Sequence, residues 1–157
     1  MSKYYTLVTD VGRAKIANAQ VTGDKVNLKH FAVGDGKGQP TGAQTELQNE
    51  VWRGQINSVS IDDNNPSWIV TEAIIPANVG GFFIREVGLY DEGGDLIVIS
   101  KTPDTYKPDY KEENVTKDVN YKLVVDVTNA ENVTIKIDPS VVIATRKYVG
   151  EEIKKPV

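Results

Sequence analysis

"VGGFFIREVGLYDEGGDLIVIS", running from Val79 to Ser100, decides the fold. Two apolar runs, Ile84 to Tyr90 and Leu96 to Ser100, flank the turn Asp91-Glu92-Gly93-Gly94-Asp95, which is the pattern of a β-hairpin. Ahead of the first run, Gly80-Gly81 lets the backbone bend sharply before the rings of Phe82 and Phe83 enter a core or an interface. Arg85 and Glu86 are adjacent, so a regular strand points them to opposite faces and keeps them from pairing. One of them must face inward or find a partner elsewhere.

Downstream of the hairpin, residues 101–118 are polar and carry prolines, which predicts a long exposed connection. Two further strands are expected, Tyr121 to Thr128 and Val133 to Ile137, joined by the turn Asn129 to Asn132. Asp138-Pro139-Ser140 offers a helix start, and the chain reads as helical from about Ala144. Upstream, Trp68 to Pro76 is a strand, Asp62 to Pro66 a dense turn, and Val51 to Ile61 a single strand with one wet face. Residues 43–48 suit a brief helical turn. The glycine-rich stretch Gly34-Asp35-Gly36 to Gly42 is a loop, and Lys25 to Gly34 a strand. Near the N-terminus Asp10 is expected to cap a short small-residue helix that Gly23 ends. The fold class that follows is α+β, a strand-rich mixed domain with a short N-terminal helix and a C-terminal helix.

The 157 residues amount to one domain, able to bury roughly 70% of the unfolded surface without staples. There is no cysteine, which excludes disulfides and thiolate metal sites. Eighteen basic against 22 acidic side chains give a net charge of −4 with no basic run, a poor basis for nucleic-acid binding. No apolar run reaches membrane-spanning length, so no membrane insertion is expected.

Catalytic patterns are absent. His30 is the single histidine and lies mid-strand, with no serine elbow to serve. GDGKG resembles a phosphate loop, but Lys37 is followed by Gly38, Gln39 and Pro40 rather than by Ser or Thr and a helix. The acidic clusters Asp62-Asp63, Glu112-Glu113 and Asp91-Glu92 with Asp95 fall in turns and polar loops, where a solvated carboxylate is the expectation; a glycosidase needs two facing acids about 5–10 Å apart with one desolvated. No calcium loop is present, and neither a cofactor nor a metal is expected. Trp52, Trp68, Tyr106 and Tyr110 leave a sugar-stacking surface open.

Four separated blocks, "YYTLVTDVGRAKIANA", "FAVGDGKGQPTGAQTELQNEVWRGQINSV", "IIPANVGGFFIREVGLYDEGGDLIVIS" and "IDPSVVIATRKYV", together resemble the N-terminal domain of phage tail-collar fibre proteins, from about Tyr4 to Val149. The resemblance implies a structural virion protein located at the tail and baseplate and made in the bacterial cytoplasm. It further implies an attachment domain over residues 1–143, rooting a homotrimeric fibre on a phage baseplate protein, and a helix over 144–157 leading towards the shaft. Host adsorption is then expected of a distal region, in a longer fibre or supplied by another chain, beyond Val157. No catalytic residue carries over. The blocks matching the family pattern, as structural or interface positions, are Gly34, Asp35, Gly36, Gly80, Gly81, Phe82, Phe83, Arg85, Glu86, Gly88, Tyr90, Asp138 and Pro139. Beside this stands a carbohydrate-binding module using the tryptophans and tyrosines on host surface glycans. A polysaccharide-degrading enzyme would need one of the acidic turns.

Overall fold

The structure is a computed structural model and describes residues 4–23, 26–65, 67–109 and 118–126. The strand expected at Val133 to Ile137, Asp138, Pro139, Tyr110 and the helix expected over 144–157 lie outside the described residues.

Thr9, between β1 (Tyr5–Val8) and α1 (Asp10–Thr22), shows how the chain starts. Its extended backbone and its hydroxyl, which accepts from the Gly12 amide at 2.9 Å, make Thr9 the helix N-cap in place of the expected Asp10. The same hydroxyl donates to the Leu96 carbonyl at 2.6 Å, so the cap also ties α1 to the distant hairpin. Asp10 stands in the first turn, where its charge suits the helix dipole. Gly23 ends the helix as expected. The helix buries Ile16 completely and Ala19 nearly so; a fully buried isoleucine stabilises by about 2 kcal/mol.

The strands form two antiparallel sheets. β2 (Leu28–Gly34), β3 (Glu50–Gln55), β6 (Phe82–Asp91) and β7 (Leu96–Lys107) join β1 in the order β1-β7-β6-β2-β3. β4 (Ser58–Ile61), β5 (Trp68–Ile75) and β8 (Val119–Asp126) form the smaller sheet β4-β5-β8. Phe31, Val33, Val87 and Leu89 from the larger sheet meet Val59, Ile69, Ala73, Ile75, Leu123 and Val125 from the smaller in one core cluster. Strand period two therefore sets the two faces, and a sandwich results. On the outer face of the larger sheet Ala32, Tyr90, Leu96 and Ile99 make a second cluster, roofed by Leu47 from the loop before β3.

The α+β class is corrected by these elements. Strands hold 53% and helix 11% of the described residues, in a mostly β sandwich with one short helix near the N-terminus and no second helix among those residues. Residues 43–48 form no helix either; Leu47 is drawn down as a lid on the second cluster. Val51 to Ile61 is two strands in different sheets. Ile56 is buried at the corner, its amide bonded to the Lys29 carbonyl, while the Asn57 amide reaches Glu72 and the Asn57 side chain accepts from the Ile74 amide at 2.7 Å. The expected loop after Ser100 begins late, because β7 runs on to Lys107. Pro103 does not interrupt it, since the register shifts there: Ile84 pairs with Thr105 but Glu86 pairs with Lys101. Arg85 is thus opposed by Thr102, Pro103 and Asp104, and a bulge tolerates a residue without an amide hydrogen.

Candidate functional site

The bulge overturns the expected alternation of Arg85 and Glu86. Ile84 and Val87 both enter the core, and the two charged residues between them both reach the loop that follows β2. Glu86 is 2% exposed. Its carboxylate accepts the amides of Gly36 at 3.0 Å, Gln48 at 2.9 Å and Asn49 at 2.9 Å. A buried carboxylate is tolerable only when its lone pairs are taken in this way. Cations take the loop's carbonyls: Arg85 donates to Asp35 O at 3.2 Å, and Lys101 to Lys37 O at 3.3 Å and Gly36 O at 3.5 Å.

Space as well as charge fixes this loop. A Cβ on Gly34 or on Gly36 would stand 2.5 Å from Glu86 Oε2, so neither position admits a side chain without moving the carboxylate. Asp35 is tied by its side chain to Asn49 Nδ2 at 2.5 Å. Gly88 and Tyr90, on the same outer face as Glu86, pack around Leu47 and Leu96. Burial pushes the Tyr90 phenol up, and the Arg53 guanidinium lies 3.9 Å over its ring while pairing with Glu50.

A second corner holds Gly80 and Gly81. Gly81 has φ 84, a left-handed conformation that a side chain resists, and its amide bonds to Lys107 O at 2.7 Å. The Lys107 ammonium, on a residue 3% exposed, donates to Val79 O at 2.6 Å and Pro108 O at 3.0 Å. Beyond this corner Phe83 and Tyr106 pair across the strands edge to face, ring centroids 5.1 Å apart, and both are 40% exposed. Phe82 instead packs against the core.

Between the loop and the hairpin end lies a cavity of about 490 Å³ lined by Tyr4, Lys37, Gln39, Arg85, Lys101 and Asp104. Asp104 Oδ2 is 3.3 Å from Arg85 Nε, leaving Lys37 and Lys101 without a carboxylate among the described residues. Sequence reasoning picked out Arg85 and Glu86 but missed Lys101 and Lys107. Their available signal was register: each is a lysine on the hairpin's return strand, paired with Glu86 and with Phe82 respectively.

The structure separates the other candidates. His30 sits mid-strand, and burial, aided by the charges of Arg53 and Lys29, lowers its pKa. Asp91 is buried rather than solvated, 2.5 Å from Lys15 Nζ, which Asp95 also meets. Trp52 packs against the core from β3, whereas Trp68 is 37% exposed at the start of β5 in the other sheet. Among the described residues no group of three His, Asp or Glu is placed to hold a metal ion. No helix there is long and apolar enough to cross a membrane.

Comparison with known proteins bears on this arrangement. A model of the N-terminal domain of phage tail-collar fibre proteins matches residues 1–147. The chain is 39% identical over 155 residues to the probable tail fiber protein of Escherichia phage P2, a match covering 96% of this chain and 23% of that protein. No solved structure matches. With the family model matching nearly the whole chain and every block of the Glu86-held framework inside the matched range, the chain belongs to the phage tail-collar fibre N-terminal family.

Proposed function

We propose that this chain is the baseplate-proximal attachment domain of a phage tail fibre. Residues 1–143 are the attachment unit, which roots a homotrimeric fibre on a baseplate protein, and host adsorption belongs to the distal part of the fibre. It acts in the virion, at the tail, after synthesis in the bacterial cytoplasm. Its work is mechanical rather than catalytic.

The observation that carries this reading is the match to an N-terminal fibre-domain family over residues 1–147, together with a curated fibre relative of which the chain spans only about a quarter. The framework supports it in kind. Its buried charges, Glu86, Lys101 and Lys107, are each engaged in holding backbone, which suits a domain that must keep its shape under load. A fibre axis calls for closed rotational symmetry, a requirement that a trimer meets.

Immunogold electron microscopy tests the location. Antibody against these 157 residues, applied to phage-tail particles from an induced lysate of the source bacterium, is expected to label the baseplate rim where fibres emerge. Unlabelled, fibre-bearing tails from cells shown to make the protein, with antibody shown to bind its native form, would sink the attachment reading. Screening the chain against host cell-wall glycans then decides whether a carbohydrate-binding role replaces it.

A further inference from the structure

The cavity of about 490 Å³ beside the Asp35–Gly38 loop brings Lys37, Arg85 and Lys101 together against one acid, Asp104, in a chain whose net charge is −4. The excess of positive charge is local and partly buried. Lys101 is 8% exposed, yet its ammonium has only the carbonyls of Lys37 and Gly36, at 3.3 and 3.5 Å. Those contacts lie beyond the ordinary 2.7–3.2 Å range for such bonds, so three donors share two weak acceptors. The ammonium therefore keeps donor capacity towards the cavity that it lines, which an anion can take up. Arg85 is already oriented, clamped by Asp35 O and Asp104 and lying 4.7 Å over the Phe83 ring, so binding would order little that is not ordered already.

We propose that this cavity is an anion pocket that receives the carboxylate of an aspartate or glutamate from a partner protein. Lys101 and Lys37 supply the charge, and Arg85 the N–H donors that Asp35 O and Asp104 leave unused. The rim favours a protein ligand. Phe83 and Tyr106 form an exposed aromatic pair next to Arg85, the residue types that dominate protein interfaces, and the guanidinium already covers the Phe83 ring that a sugar would need. The partner segment is therefore acidic with an apolar neighbour. The inference takes from the attachment reading only that a protein partner exists.

Titration of the ¹⁵N-labelled 157-residue chain with sodium acetate, with sodium phosphate, and with sodium chloride at matched ionic strength tests the pocket alone, so its failure is separable from a failure of the immunogold experiment. Acetate is expected to give saturable amide shifts at Asp35 to Lys37, Arg85 and Lys101 to Asp104, with binding at least tenfold weaker in Lys101→Met. Lys37→Met, at an exposed loop position, is expected to weaken acetate binding at least threefold and serves if the Lys101 variant does not fold. Shifts that fail to saturate, that chloride reproduces, or that persist unchanged in the folded variants overturn the pocket. Phosphate binding tenfold tighter than acetate overturns the carboxylate assignment in favour of a phosphate-bearing ligand.

Discussion

Glu86 Oε2 accepts the amide of Gly36 at 3.0 Å across a separation of 50 residues. Lys101, the strand partner of Glu86, lies 3.5 Å from the carbonyl of that same glycine. The backbone N–H and C=O of one residue are thus bracketed by opposite charges from neighbouring strands, and the loop after β2 takes its shape from the hairpin rather than from its own sequence.

Replacing that carboxylate measures how much the loop depends on it. Glu86→Gln keeps the volume but turns a charged acceptor into a neutral one and aims an NH₂ group at backbone donors. The expected cost is about 2–3 kcal/mol, or a fall in Tm of roughly 4–12 °C. Urea unfolding of the two proteins side by side checks it, and a loss below about 0.5 kcal/mol would show that the three amides are satisfied otherwise.

The glycines give a graded series. Gly34→Ala and Gly36→Ala each press a methyl to 2.5 Å from the Glu86 carboxylate and are expected to destabilise by about 1–3 kcal/mol. Gly38→Ala meets only the amide end of the exposed, flexible Gln48 side chain and should cost under about 1 kcal/mol. Equal losses at all three positions would contradict the steric account.

Acid sensitivity should trace partly to His30. Burial, then the charges of Arg53 and Lys29, lower its pKa from 6.5, with Glu50 opposing. The unfolded chain therefore binds the proton more readily, so the contribution is intact above pH 6.5 and is lost as pH falls through the folded value. His30→Gln should flatten the dependence of the urea midpoint on pH between 7.5 and 5; an unchanged profile would remove His30 as the cause.

At the other end of the hairpin Lys15 bridges Asp91 and Asp95, each at 2.5 Å. Its pKa is raised, first by the Asp91 bond and then by Asp95, so this contribution is present below 10.5 and lost as pH rises through the folded value. Because Lys15 is 36% exposed, Lys15→Met should cost no more than about 1 kcal/mol, and less in high salt. Thermal melts at low and high sodium chloride test both statements.

Local signals made part of this legible. The Gly-Gly turn between apolar runs gave the hairpin, and small residues before Gly23 gave the helix, because turn chemistry and helix capping act within a few residues. Tertiary events hid the rest. Alternation continues smoothly through Gln55, Ile56 and Asn57, so nothing local marks the corner where the chain changes sheets; the bonds that make it come from Lys29, Glu72 and Ile74. Proline at 103 reads as a strand breaker until its partner strand supplies a bulge. The same bulge put Arg85 and Glu86 on one loop, which no period-two argument could foresee.

The pairing of Tyr5–Val8 with β7 has a consequence in time. Thr6 meets Ser100 across 94 residues, so β1 cannot dock until β7 has left the ribosome. At roughly 5–20 residues per second that wait is about 5–20 s, spent without the strand that Tyr5–Val8 pairs with. Closure of the larger sheet at β1 therefore waits on β7, and the order in which the chain is made keeps this edge strand free until the strand that it leans on exists.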